Sequence, residues 1–203
     1  MESHLRAGAA VFNAGHHHAA HDAWEQRWLA LEAGDDERLL HGLIQYTAAV
    51  HHGHHQNWTG LQGLADSAHA YLADLPADYR GVNVGTVRTY LGALATDPET
   101  IERRPPPKIA VDGVAPTLAG LDARAAFVAA PVLAAALDYD EEVLARAVEY
   151  AETDLDRGEE GSRFITLVVA FVGDADRRPT VYERLRGHVE KRATREGDVE
   201  DLF

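Results

Sequence analysis

The chain has no cysteine among its 203 residues and a single methionine. Without cysteine it can form no disulfide framework and has no cysteine nucleophile. Glycine-rich phosphate loops, the HExxH pattern of zinc hydrolases and the serine-nucleophile elbow are also missing. These absences exclude the nucleotide-binding and hydrolase classes that are recognised by such motifs.

Long hydrophobic runs are missing as well. The two longest cover residues 125–137, which Pro131 interrupts, and residues 164–172. Both are shorter than the roughly 20 apolar residues that a membrane helix needs. The first residues also lack the charged and then apolar pattern of a signal peptide. The sequence therefore predicts a soluble cytoplasmic protein with no membrane partner.

Positive charge is scarce, and lysine is the scarcest form of it. Lys108 and Lys191 are the two lysines, and 33 acidic residues outnumber 19 basic ones, which gives a net charge of −14. This charge argues against nucleic acid as a partner. An acidic, lysine-poor surface stays hydrated in concentrated salt, so the composition predicts a halophilic cytoplasm. A GC-rich genome is the alternative explanation, because it also favours alanine and arginine over lysine.

The hydrophobic periodicity predicts an all-α protein. Residues 1–96 are expected to form an antiparallel helical bundle, with its first helix over about residues 5–32 and its second over about 35–55. Asn57 and Asn83 are predicted to cap the third and fourth helices. The proline-rich residues 97–117 form either a linker or an arm along the bundle, with a small hairpin at 111–114.

The last part of the chain, residues 118–203, is predicted to be a second helical region with four helices and an acidic tail at 197–203. A homo-oligomer contact or another protein partner would use this region. Arginines and one lysine concentrate between residues 177 and 195, but Glu183, Glu190 and Glu196 are interleaved with them. This alternation predicts a solvated, salt-bridged helix face and not a nucleic-acid patch.

Polar side chains concentrate on the first two predicted helices. His17, His21 and Glu25 follow one another at intervals of four residues, so each lies one turn from the next on the same face. His51 continues the apolar stripe of the second helix. Because a short turn makes the two helices antiparallel, a residue i should lie near position 69 minus i on its partner, roughly. This register places His17 or His18 opposite His51 or the residue that follows it.

Imidazole and carboxylate groups on facing helices are the means by which helical bundles hold zinc, manganese or iron. The sequence therefore predicts a polar pocket between the first two helices, with His21, Glu25 and His51 as candidate ligands of a divalent metal (Zn, Mn or Fe). The supporting residues of this pocket are His17, Asp22, Trp24, Trp28, Gln45, His52 and Asn57. A metal with an open position would favour metal-assisted hydrolysis. The sequence assigns no catalytic residue and leaves open whether the protein is an enzyme.

The alternative is a structural function for the same residues. Buried histidine, glutamate and glutamine side chains can satisfy one another in a hydrogen-bond network without any ligand. The protein would then be a non-catalytic interaction or scaffold module. The run His16-His17-His18 could also bind metal adventitiously.

At these residues the chain resembles an uncharacterised family, domain of unknown function 309. The shared elements, in chain order, are Phe12-Asn13-Ala14-Gly15, then His21, Glu25 and Trp28, then Gly42-Leu43-Ile44-Gln45, then His51, Asn57 and Gly60. Asp22 departs from the family pattern, which usually has glutamate there, so its reach as a ligand is shorter. The resemblance covers about residues 8–95. It implies an all-helical domain with a shared polar cluster, and it implies no activity.

Overall fold

The protein is all-α. The computed structural model describes residues 1–200, with the side chains of residues 1–196, and this part contains ten α-helices and no strand. The predicted fold class is therefore confirmed. The prediction for the acidic tail lies outside the described residues, except that the backbone of residues 197–200 continues the last helix.

The chain divides into two compact units, unit 1 (Met1–Thr117) and unit 2 (Leu118–Phe203). The helices are α1 Glu2–Asn13, α2 His17–Leu29, α3 Asp35–His54, α4 Trp58–Leu72, α5 Val84–Thr96, α6 Thr100–Arg103, α7 Ala123–Ala136, α8 Glu141–Asp156, α9 Arg163–Gly173 and α10 Arg178–Glu200, with one turn of 3-10 helix at Leu118–Gly120. Within residues 1–200, no helix combines the length and the apolar content that crossing a membrane requires.

The prediction of one continuous first helix over about residues 5–32 is wrong, because the structure has two helices there, α1 and α2. Gly15 adopts a φ of 92°, which lies in the left-handed region that glycine tolerates. Its N–H donates to the carbonyl of Phe12, and the N–H of His16 donates to the carbonyl of Val11. These two bonds form a Schellman motif that ends α1 and lets the chain reverse into α2. The bundle of unit 1 therefore has one more helix than the sequence predicts.

Consecutive helices of unit 1 pack against each other from α1 to α5. Two of these contacts depend on glycine. A Cβ at Gly8 would lie 2.2 Å from the Trp24 ring, and a Cβ at Gly42 would lie 2.6 Å from Leu72. The absent side chains let α1 approach α2, and α3 approach α4, more closely than any other residue would permit.

Asn57 caps α4 as predicted, since its Oδ1 accepts the N–H of Gly60 at 3.0 Å. Asn83 precedes α5, but its side chain makes no capping bond. Instead its amide donates to the carbonyl of Lys108 and accepts the N–H of Ala110. Tertiary contact with the proline-rich segment has thus replaced the predicted local cap.

The proline-rich segment lies along the helices of unit 1. Asn13 at the end of α1 accepts the N–H of Ile109 and donates to its carbonyl, both at 2.9 Å. Tyr46 donates to the carbonyl of Pro107, and Tyr90 donates to the carbonyl of Arg104. The predicted hairpin at 111–114 is present as one isolated antiparallel bridge. The division of the chain into domains at residues 96 and 117 stays a prediction.

Unit 2 is built from α7 to α10. Three of its helices begin at residues whose side-chain oxygens accept a backbone N–H, namely Asp122, Asp140 and Ser162. Asp122, Asp140 and Ser162 are thus the N-caps of α7, α8 and α9. The core of the unit includes Leu133, Leu144, Phe171 and Leu185.

Candidate metal centre

Three side chains on one face of α2 form a group with metal-ligating geometry. We call His21, Asp22 and Glu25 the α2 triad, since one ligand atom from each lies within 4.8 Å of the others. Nδ1 of His21 donates to Oδ1 of Asp22 at 2.8 Å, and Nε2 of His21 lies 3.7 Å from Oε1 of Glu25. Within the described part of the chain, this is the group of three or more His, Cys, Asp or Glu side chains that lie close enough to share a metal ion.

The α2 triad is open to solvent. The side chains of His21, Asp22 and Glu25 are 28%, 52% and 43% exposed. The hydrogen bond to Asp22 raises the pKa of His21, the Glu25 carboxylate raises it further, and partial burial opposes both. An ion could reach these groups from water without any opening of the fold.

His51 lies in a different part of the same helix pair. Its ring is 4.8 Å from that of His18 and 4.3 Å from that of His55, while His18 lies 6.4 Å from His21. His17 stacks on His54, with the ring centroids 5.1 Å apart. We call His17, His18, His51, His54 and His55 the histidine row. It joins the start of α2 to the end of α3.

Packing against other rings keeps part of the histidine row uncharged. Burial, followed by the neighbouring imidazoles of His54, His16 and His51, lowers the pKa of His17 to about 4. Burial also lowers the pKa of His51, with contributions from His55 and His18. Burial and the neighbouring imidazoles thus both favour the neutral forms of the His17 and His51 rings at pH 7.

The predicted register of α2 on α3 holds at two places. His18 meets His51, and Trp28 meets His41 with ring centroids 4.5 Å apart, and both pairs add to 69. This register places His51 opposite His18 and one turn away from His21. The structure therefore brings His21 and Glu25 together with Asp22, and it brings His51 together with His18.

The two tryptophans of α2 serve different contacts. Trp24 is fully buried with its ring against Gly8 of α1, so it packs on the side of α2 away from the predicted pocket. Trp28 donates from Nε1 to Glu37 at 2.7 Å, and the same carboxylate accepts from Nδ1 of His41. Trp28 thus belongs to a separate polar contact at the other end of α2.

The remaining supporting residues lie on α3 and in the turn that follows it. His52 accepts a hydrogen bond from the amide of Asn57 at 2.7 Å, so both residues serve the turn into α4. Gln45 is half-buried and makes no side-chain hydrogen bond to the part of the chain that the structure describes. The ligands predicted from the sequence do not include His18, although its ring contacts that of His51. The register could have identified it, because it places residue 18 opposite His51.

Residues 5–64 match the sequence pattern of a family described as Domain of unknown function (DUF309). The predicted resemblance is confirmed. We call this stretch the DUF309 segment; it includes the α2 triad and the histidine row, and it ends within α4 instead of continuing to residue 95. An uncharacterized protein of Aquifex aeolicus (strain VF5) is 26% identical over 87 residues, which is 43% of this chain and 26% of that protein. The chain thus spans about a quarter of that relative's length. Neither similarity assigns an activity to the DUF309 segment.

Proposed function

We propose that the protein binds a divalent metal ion at the α2 triad. The observation that carries the proposal is the convergence of one imidazole and two carboxylates within 4.8 Å. His21 and Glu25 are the ligands, and Asp22 orients His21. Zinc, manganese and iron all accept this combination of nitrogen and oxygen ligands.

The hydrogen bond to Asp22 prepares His21 for this function. Because a carboxylate accepts from Nδ1, the proton of the neutral ring lies on Nδ1 and the lone pair lies on Nε2. Metal-binding histidines commonly have a carboxylate in this position. Asp22, one methylene shorter than glutamate, therefore acts here by aligning the ring.

The spacing of the two ligand atoms suits a shared ion. Nε2 of His21 and Oε1 of Glu25 are 3.7 Å apart. Two ligands of a tetrahedral zinc ion, each at a bond length of about 2.1 Å, lie about 3.4 Å apart. A small rotation of the Glu25 side chain closes the difference. His18, and behind it His51, supplies imidazole from the neighbouring turn and from α3.

Metal analysis of protein without an affinity tag tests the proposal. We expect one zinc or manganese ion per chain by calorimetry, and loss of that binding in the His21→Ala/Glu25→Ala variant. Asp66→Ala/His69→Ala is the matched control, because it also removes one imidazole and one carboxylate, here from α4. Asp22→Asn should weaken binding about 10- to 100-fold without abolishing it. Binding that persists in the His21→Ala/Glu25→Ala variant would assign the ion to the histidine row and refute the α2 triad as the site.

A second candidate function is a non-catalytic interaction or scaffold module. What favours it is the structural use of several residues shared with the family: Asn13 holds the proline-rich segment, Gly42 accommodates Leu72, and Asn57 caps α4. In this case unit 2 would supply the surface for a homo-oligomer or another protein. Metal-free protein whose melting temperature is unchanged by chelators would support this function over metal binding.

The composition supports one further proposal, a salt-rich cytoplasm as the working environment. With 33 acidic and 19 basic residues, the chain carries an excess of like charge that salt screens. We expect the melting temperature to rise between 0.1 and 2 M KCl (about a 20-fold change in ionic strength). A melting temperature that falls or stays constant over this range would count against a halophilic source.

A further inference from the structure

Unit 2 contains a pocket of about 350 Å³ with a strongly basic lining. We call it the basic pocket; its residues are Arg163, Phe164, His188, Lys191, Arg192 and Arg195. The first two begin α9, and the other four lie on one face of α10 at intervals of three and four residues. The sequence predicts a solvated, salt-bridged face here, and that prediction describes only part of α10.

Three cations of the basic pocket have no acidic partner among residues 1–196. Arg186, outside the pocket, pairs with Glu183 and Glu190, as expected for a solvated face. By contrast, the ion pairs of the described residues include none made by Arg163, Lys191 or Arg195. Within residues 1–196 of this chain, whose net charge is −14, three cations without an acidic partner therefore line one cavity.

The fourth cation, Arg192, is neutralised by Asp154, and this ion pair fixes the position of one side of the pocket. Arg192 donates to Asp154 at 3.0 Å and lies 4.2 Å above the ring of Tyr150. Asp154 is buried and also accepts from the hydroxyl of Ser162, which caps α9. These contacts tie the ends of α8, α9 and α10 together, so the cations of the pocket are presented by rigid elements.

We propose that the basic pocket binds a small phosphate-bearing anion, with inorganic phosphate as the minimal ligand and a phosphomonoester as the larger one. Arginine recognises phosphate oxygens through paired N–H groups, and lysine adds a point charge. A phosphate dianion is attracted to three cations more strongly than a monovalent carboxylate is. Phe164 offers an apolar surface to an organic group on the phosphate, and the volume is that of a small-ligand site.

His188 reports on the charge within the basic pocket. Burial lowers its pKa, and the nearby charges of Arg163 and Lys191 lower it further. A bound dianion would reverse the second effect, because it favours the protonated ring. Titration of the His188 ring by NMR, with and without phosphate, therefore gives a local readout that a distant binding site would not change.

Calorimetry on the full chain tests the proposal. Phosphate and phenyl phosphate should each bind once per chain, whereas acetate and chloride at equal ionic strength should bind at least about tenfold more weakly. Tighter binding of phenyl phosphate than of inorganic phosphate would identify a phosphomonoester as the ligand; equal binding would identify free phosphate. The pKa of His188 should rise towards its ordinary value when phosphate is bound. Phosphate binding no stronger than acetate binding would overturn the proposal.

Single variants locate the site. Lys191→Gln and Arg163→Gln should each weaken phosphate binding about tenfold. Arg186→Gln removes the same charge from the same helix but on another face, so it should leave binding unchanged. Equal weakening in all three variants would indicate a general charge effect and would refute a site.

The acidic residues at the end of the chain provide a further test. Asp198, Glu200 and Asp201 follow the basic pocket in sequence. The full chain with all three changed to their amides should bind phosphate with an affinity like that of the native chain. If phosphate binds only after this change, the tail is the occupant of the pocket and the proposal fails for the native protein.

Discussion

Unit 1 and unit 2 are both acidic, but they differ in their basic side chains. Unit 1 has fourteen acidic residues and eight lysines and arginines, and unit 2 has nineteen and eleven, so their net charges are −6 and −8. Eleven of the twelve histidines lie in unit 1, and the twelfth, His188, lies in the basic pocket of unit 2. The candidate chemistry of unit 1 therefore rests on groups that change charge near neutral pH, while that of unit 2 rests on groups that stay charged. Changes in pH should act mainly on unit 1, and anions should act mainly on unit 2.

The largest expected effect tests whether the two units are stabilised separately. Trp24→Ala should destabilise unit 1 by about 3–5 kcal/mol, because it empties the space that the ring fills against Gly8. Trp24→Phe should cost less, since it retains much of the ring and removes an indole N–H that is buried without a partner. Hydrogen exchange read separately in each unit measures this. Equal loss of protection in α7 to α10 would show that the two units unfold together and are not stabilised separately.

The corresponding change in unit 2 is Asp154→Ala. It leaves Arg192 and Ser162 without their shared acceptor, so we expect a loss of about 2–3 kcal/mol, reduced because Arg192 is partly exposed. Urea denaturation at pH 7 gives this value. Arg124→Ala is the control, because its ion pair with Asp156 is exposed on both sides and should contribute little. A cost as small as that of the control would show that the wall of the basic pocket is not held by Asp154.

The pH dependence of unit 1 is the next effect in size. The pKa of His17 is about 4 in the folded protein and near 6.5 in the unfolded chain, so the unfolded chain binds more protons between these values. The free energy of unfolding should therefore fall by about 1–2 kcal/mol from pH 7.5 to pH 5.0 on account of this group, with allowance for its partial exposure. His21 opposes this, because its raised pKa stabilises the fold below about pH 6.5 and loses that contribution as pH rises.

His17→Phe isolates the contribution of His17. The new ring can still pack against Phe12 and His54, but it cannot take a proton. Its unfolding free energy should fall less between pH 7.5 and pH 5.0 than that of the native chain. An unchanged pH dependence would mean that the histidine row does not set the acid sensitivity of unit 1.

The smallest effect concerns a local cap in unit 1. Asn57→Ala should cost about 1 kcal/mol, because the N–H of Gly60 loses its acceptor at the start of α4. Asn57→Ser should restore most of this, since serine also caps, although it cannot reach Nδ1 of His52 as the amide does. Thermal melting of both variants measures the difference. A serine variant as unstable as the alanine variant would show that the contact with His52 matters more than the cap.

Local signals predicted much of the fold. The start of α4 follows from the capping residue Asn57, and the extent of α3 follows from its apolar stripe. The break at Gly15 was missed because alanine-rich sequence on both sides reads as one continuous helix. The side chain of Asn83 was assigned to a cap, yet it binds residues 108 and 110, which are distant in sequence.

The α2 triad and the basic pocket differ in how far the sequence could predict them. His21 and Glu25 lie four residues apart on one helix, so helix geometry alone brings them together. Their predicted partner His51 lies beside His18, because the register places it one turn away. The cations of α10 gave no signal of a pocket, since Arg163 approaches them from another helix.

The sequence by itself determined the helical class, the extent of α3, the start of α4, the register of α2 on α3 and the acidic character of the chain. These follow from interactions within a few residues or from composition, and neither needs the tertiary structure. Only the tertiary structure decided which imidazoles meet, where the amide of Asn83 binds and that Arg163 lies beside Lys191 and Arg195. Each of these depends on how separate elements pack, and packing is set by side-chain shape over the whole core and not by any local pattern.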